Sequence, residues 1–189
     1  GRHVPLRFVI KSTPSSMHSF YELRHFLRDE PFILTTVDTI FDESEFHDYV
    51  LSFQDKIAHG TDALMGVTDY IDDEKPLYVS VDNVMRINGY YDTPQADSHF
   101  ISAGIYGLTA PSLNILEACI EKGESRMRNF QRALVADGLR IEAYPLTKVF
   151  DIDHIEDIRK ADEGLNNLSS CCKGKTLLIQ RAACYSPNS

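Results

Sequence analysis

The sequence predicts a three-layer α/β fold, and three observations predict it. Short apolar, β-branched runs alternate along the chain with segments whose apolar residues fall on one helical face. The 189 residues are 43% hydrophobic and include 10 Phe and 9 Tyr, enough for one real core and at most two small domains. No internal repeat, low-complexity tract or Gly/Ser linker interrupts the alternation, apart from the polar stretch DEGLNNLSSCCKGK at 162–175. In such a sheet, ligands are expected at the carboxyl ends of the strands.

The elements follow in order. LRFVIK at 6–11 reads as a strand, and after Pro14 the segment SSMHSFYELRHFLRD reads as a helix with Met17, Phe20, Tyr21 and Leu23 on one face. FILTTV at 32–37 is a second strand. DESEFHDYVLSFQDKIAHG is a helix that turns Phe46, Tyr49, Val50 and Phe53 inward and stops at Gly60. DALMGVTDY, PLYVSVD and VMRINGYYD read as strands, the last two forming a hairpin that turns at Asp82 and Asn83. SHFISAGIYGLT is a further strand, followed by helices over APSLNILEACIEKG and SRMRNFQRALVADG, strands over LRIEAYPL and KVFDI, and a helix over DHIEDIRKADEG.

Composition narrows the class. Against 19 Lys and Arg stand 28 Asp and Glu, a formal charge of −9, which disfavours nucleic acid and anionic membrane as partners because phosphates demand a basic face. No apolar run approaches the roughly 20 residues of a membrane span, and GRHVPLRFVIK lacks the layout of a secretion signal, so a cytoplasmic enzyme or binding domain is expected. Cys119, Cys171, Cys172 and Cys184 form neither a CxxC pair nor a usual zinc spacing and read as free thiols.

Two apolar strands end on a carboxylate. FILTTV runs into Asp38, and KVF runs into Asp151, with Asp153 two residues later before a helix. Alone, Asp38 reads equally as a cap of the following segment or as a ligand for a cation. Paired with Asp151 it suggests a divalent-metal clamp, since Mg²⁺ takes one or two carboxylates and completes its shell with water and substrate phosphates.

Four segments in order then resemble the sugar-phosphate nucleotidyltransferases, or nucleotide-sugar pyrophosphorylases, over residues 6–163. KSTPSSMHSFYEL is similar to the loop and helix that cradle the nucleotide base, and LTTVDTIF to the strand carrying the first metal aspartate. ISAGIYGLT is similar to the strand usually read as N-A-G-I-Y, and RIEAYPLTKVFDIDHIEDIRKAD to the closing strands with the second metal aspartate. The resemblance implies a Rossmann-like (GT-A-like) α/β/α fold with a mixed, mainly parallel central sheet. It also implies Mg²⁺-dependent transfer of NMP from an NTP to a sugar 1-phosphate or phosphorylated alcohol, with release of pyrophosphate.

Carried onto this sequence, the resemblance assigns the metal to Asp38 and Asp151, with Asp153 as a helix cap or an added ligand. It assigns the base to Ser15 and Ser16, which read otherwise as ordinary helix caps. Gly104 is expected to let the acceptor approach the backbone, or else to serve tight strand packing. Lys148 is a candidate phosphate contact, and within the basic cluster Arg126, Arg128 and Arg132, Arg128 is a candidate for the acceptor phosphate, against a solvated face or subunit contact. His18 in the first turn of that helix meets the base or is a surface or satisfied core residue.

The departures from the family pattern are also legible. Its glycine-rich phosphate loop has no counterpart here, so by the resemblance Gly1 falls after it, and this chain alone is expected to be inactive while the intact parent is active. Residues 1–163 are expected to form the nucleotidyltransferase domain, and 164–189 a linker and the start of a further domain. Two rivals are a metal-dependent glycosyltransferase, suggested by Asp151-Ile152-Asp153, and a non-catalytic domain that binds a nucleotide or a partner.

Overall fold

A computed structural model describes residues 9–36, 39–40, 42–69, 75–147, 150–151 and 184–185. The elements are α1 (Ser16–Leu23) with a 3-10 turn at Arg24–Phe26, β1 (Phe32–Thr35), β2 (Thr39–Ile40), α2 (Glu43–Ala58), β3 (Ala63–Thr68), β4 (Tyr78–Val81), β5 (Ile87–Tyr91), β6 (Phe100–Leu108), α3 (Ala110–Glu121), α4 (Met127–Ala136), β7 (Ile141–Pro145), β8 (Phe150–Asp151) and β9 (Cys184–Tyr185). Of the expected first strand, residues 9–11 carry no strand pairing and residues 6–8 lie outside the described residues, as does the expected helix after Asp151.

Side chains that alternate between two buried faces build the layers. In β1, Phe32 and Leu34 join one apolar cluster and Ile33 the other; in β3, Ala63, Met65 and Val67 face the first and Leu64 the second. The first cluster receives Met17 and Phe20 of α1, Leu113 and Leu116 of α3, and Phe130 and Leu134 of α4. The second receives Tyr49, Val50 and Phe53 of α2. Helices therefore cover both faces, the three layers that the sequence predicts. Each fully buried Leu, Ile or Phe contributes roughly 1.5–3 kcal/mol relative to exposure. Phe20 centres α1 over β1, its ring 5.9 Å from Phe32 and 5.6 Å from Phe130.

The long strand β6 is the spine of the sheet. β3 runs against it from Ala63 opposite Leu108 to Thr68 opposite Ile101. The other edge is shared: β1 pairs with residues 105–108, and β4 with Phe100 and Ile101. The expectation of a mainly parallel sheet is corrected here, because among the described strands every pairing except β3 with β7 is antiparallel. The reason lies in one strand: β6 sits between β3 on one edge and β1 and β4 on the other and runs against all three, and β5 adds to β4 through a short turn, whereas β7 returns through α3 and α4 and can lie parallel to β3.

Side-chain polar contacts tie the layers together. The β4–β5 turn forms around Asp82, whose carboxylate accepts the Val84 and Arg86 N–H groups at 3.0 and 2.8 Å. The turn reaches β7, where the Ala143 N–H donates to the Met85 carbonyl at 2.8 Å. Glu142 of β7, 7% exposed, accepts from Lys56 Nζ of α2 at 2.6 Å and from Thr61 Oγ1 at 2.7 Å, and pairs with Arg140 at 3.2 Å. No described helix is long and apolar enough to cross a membrane.

Candidate active site

The carboxyl end of β1 meets the amino end of β4 on the same edge of β6. There the Thr36 N–H donates to the Gly104 carbonyl at 3.1 Å, and the Ser102 N–H donates to the Leu77 carbonyl at 2.9 Å. Between these two contacts β6 bulges, running from Tyr106 to Ser102 while β3 advances only from Met65 to Val67. Gly104 absorbs the bulge with φ of 73°, a left-handed conformation that L side chains rarely adopt. The bulge drives Ile105 against Gly66, where a Cβ would come within 2.1 Å of the Ile105 side chain. Backbone geometry is thus a reason for glycine at 104 that sequence pattern did not reveal.

At the start of α1, Ser15 is the N-cap. Its Oγ accepts the His18 N–H at 3.4 Å and lies 2.9 Å from His18 Nδ1. Thr13 Oγ1 and Ser19 Oγ are 2.6 Å apart, and the Ser19 hydroxyl also donates to the Ser15 carbonyl at 3.3 Å. Ser16 is exposed. The structure thus joins Ser15 to His18, which sequence reasoning considered separately, and adds Thr13 and Ser19. The polar run STPSSMHS was the signal available for those two.

Asp38, Lys148 and Asp153 lie outside the described residues. Asp151 closes β8, and β2 and β8 form a separate two-stranded ribbon in which Thr39 opposes Asp151 and Ile40 opposes Phe150. FILTTVDTIF is therefore not one strand, since its first half belongs to the large sheet and Thr39–Ile40 to the ribbon. The N-cap of α2 is Asp42, whose carboxylate accepts the Ser44 and Glu45 N–H groups at 2.9 and 3.2 Å. The Ser44 hydroxyl, then the Glu45 N–H, hold that carboxyl below its ordinary range against a small opposing desolvation. Among the described residues, no group of three or more His, Cys, Asp or Glu is placed to hold a metal.

The arginines are engaged elsewhere in the fold. Arg128 bonds Asp92 and donates to the Lys75 carbonyl at 3.1 Å, while Arg132 reaches Asp92 at 2.8 Å and donates from Nε to the Tyr90 carbonyl at 3.1 Å. Hydrogen bonds from Arg128 and then Arg132 lower the Asp92 carboxyl. Together they clip α4 to the end of β5. Arg126, in the N-cap position of α4, is exposed.

No family profile and no curated protein matches the sequence. Solved structures do match. The inositol-1-phosphate CTP transferase from T. maritima superposes with a TM-score of 0.67 at 18% identity, over 85% of this chain and 64% of that one. The CTP:phosphocholine cytidylyltransferase from Streptococcus pneumoniae gives 0.59 at 15% identity, over 80% and 64%. The UDP-glucose pyrophosphorylase from Acinetobacter baumannii gives 0.64 at 16% identity, over 82% and 57%. The chain has the fold of these nucleotidyltransferases. It spans 57–64% of their length. The mixed sheet of the nucleotidyltransferase fold expected from the four sequence segments is therefore present, with the corrected strand directions given above.

Proposed function

We propose that this chain is part of a nucleotidyltransferase that moves NMP from an NTP to a sugar 1-phosphate or phosphorylated alcohol, releasing pyrophosphate. The reading rests on the fold and on one observation above all, the pairing of Thr39 with Asp151. That pairing joins the residue after Asp38 to the second strand-end carboxylate, although the two are far apart in sequence. With Asp42 serving as the α2 cap, the capping role once open to Asp38 is filled by another residue.

Asp38 and Asp151 are assigned to a Mg²⁺ ion. The donor set fits that ion, because carboxylate oxygens are hard ligands, two of them suffice, and water and phosphate supply the rest. When bound, Mg²⁺ supplies charge neutralisation between the α-phosphate and the incoming phosphate. The protein's remaining work is alignment. Ser15 and Ser16 are assigned to the base side, with the His18 ring held by Ser15, and the backbone around Gly104 to the acceptor side with Lys148. Arg128 joins the acceptor side only by exchanging Asp92 for a phosphate. The reaction is assigned to the cytoplasm, where the NTP donors are found and where thiols such as buried Cys119 stay reduced.

The test is pyrophosphate release by the intact protein across the four NTPs and a panel of sugar phosphates and phosphorylated alcohols, with and without Mg²⁺. Release that requires Mg²⁺ and collapses in Asp38→Ala and Asp151→Asn is expected. Near-normal turnover in either variant overturns the metal assignment, and no release with any pair overturns the function.

A further inference from the structure

Resting on that metal reading, we infer that Glu45 is a positioning residue, a latch that fixes the strand carrying Asp151 to helix α2. A ribbon with two residues in each strand has little hold of its own, since even longer isolated hairpins are marginal in water. Its geometry must come from outside. α2 is the rigid base available, anchored by Tyr49 and Phe53, both fully buried, and by the Tyr49 hydroxyl donating to the Leu64 carbonyl at 2.6 Å.

One turn before Tyr49, Glu45 Oε1 accepts both the Thr147 N–H at 3.0 Å and the Thr147 hydroxyl at 2.6 Å. The segment leading to Thr147 is pinned by the same helix and by β3. Tyr144 stacks edge-on against Tyr49 at 5.3 Å, and the Leu146 N–H donates to the Val67 carbonyl at 2.8 Å. Thr147 is the last of these anchors before β8. At its other end the ribbon is also tied to α2, because β2 leads directly to the Asp42 cap. The first turn of α2 therefore carries both the Asp42 cap that follows β2 and the Glu45 latch to the segment before β8, and Glu45 sets where β8 stands relative to α2. Residues that orient metal ligands without touching the metal typically tune affinity by about 10- to 100-fold.

The test uses this chain, Mn²⁺ as the probe ion followed by its electron paramagnetic resonance signal, and amide deuterium uptake over residues 146–151. In Glu45→Ala, Mn²⁺ is expected to bind about 10-fold more weakly or worse, and uptake over that segment to rise while the melting temperature of the rest of the chain holds. Glu45→Gln keeps an acceptor oxygen in place and is expected to stay within about twofold of the parent, because the latch works through hydrogen bonds rather than charge. Thr147→Val, an exposed position that removes only the hydroxyl bond, should fall between and serves if Glu45→Ala fails to fold. Asp151→Asn should abolish binding. If it does while Glu45→Ala retains the parent affinity, or if Glu45→Gln loses as much as Glu45→Ala, the latch is overturned and the metal reading stands. If Asp151→Asn leaves Mn²⁺ binding unchanged, or the parent binds none, the metal reading falls and the latch with it.

Discussion

Replacing Glu142 by glutamine tests how the parallel pair β3–β7 is held against α2. The carboxylate is 7% exposed and collects Lys56, Thr61 and Arg140. Removing one partner of a fully buried ion pair costs roughly 3–5 kcal/mol, but Lys56 and Arg140 are 41% and 51% exposed and can return to water. What is lost is the charged half of two short hydrogen bonds, and the amide N–H of glutamine must face one of the same donors. That amounts to about 2 kcal/mol.

Burial, the largest single influence on Glu142, pushes its carboxyl up. The hydrogen bonds from Lys56 and Thr61 and the charges of Lys56 and Arg140 outweigh it and leave the carboxyl below the ordinary glutamate value. A lowered carboxyl stabilises the fold above the ordinary value, and that contribution is lost as pH falls through the folded-state value. Urea unfolding at neutral pH should therefore show Glu142→Gln with its midpoint lower by about 1 M at an unchanged slope. The gap between the two proteins should close in acid. A midpoint shift below about 0.2 M at neutral pH, or a gap that persists after the carboxyl is protonated, would refute the reasoning.

Two further substitutions probe the sheet. Gly104→Ala places a side chain at φ of 73° and should cost about 1–2 kcal/mol in urea unfolding. It should also raise the KM for the acceptor more than that for the NTP, and equal effects on both would argue against the acceptor assignment. Among the described residues the Tyr90 hydroxyl is buried without a hydrogen-bond partner. Tyr90→Phe should therefore be neutral or raise the melting temperature, because removing an unsatisfied buried group lifts a penalty of roughly 1 kcal/mol; a drop in melting temperature would mean that the hydroxyl has a partner.

Most elements were legible because each carries its own periodicity. Tyr49, Val50 and Phe53 recur at helical spacing and are buried, with Phe46 half-buried beside them, and Asp82 announces the β4–β5 turn. Strand direction was not legible. The apolar run in FILTT marks a strand buried on both faces but not which strand lies beside it, and four consecutive strands without a helix were the clue against a parallel sheet. The division of FILTTVDTIF between β1 and β2 was equally hidden, since both strands are apolar and only the pairing of Thr39–Ile40 with Phe150–Asp151 separates them. Contacts such as Glu45 with Thr147, or Arg128 with Asp92, join distant residues of ordinary surface type. No local pattern marks them.

The placement of β6 also governs how the chain is made. Phe32–Leu34 and Ala63–Thr68 take their β6 partners from residues 101–108. During translation β1 must therefore wait for about 75 more residues, on the order of 4–15 s at ordinary elongation rates, before that edge is available. Two apolar strands emerge from the ribosome ahead of the strand that joins them, and β4–β5 is the first pairing that nascent chain can close by a short turn. That interval is when a chaperone would engage this protein.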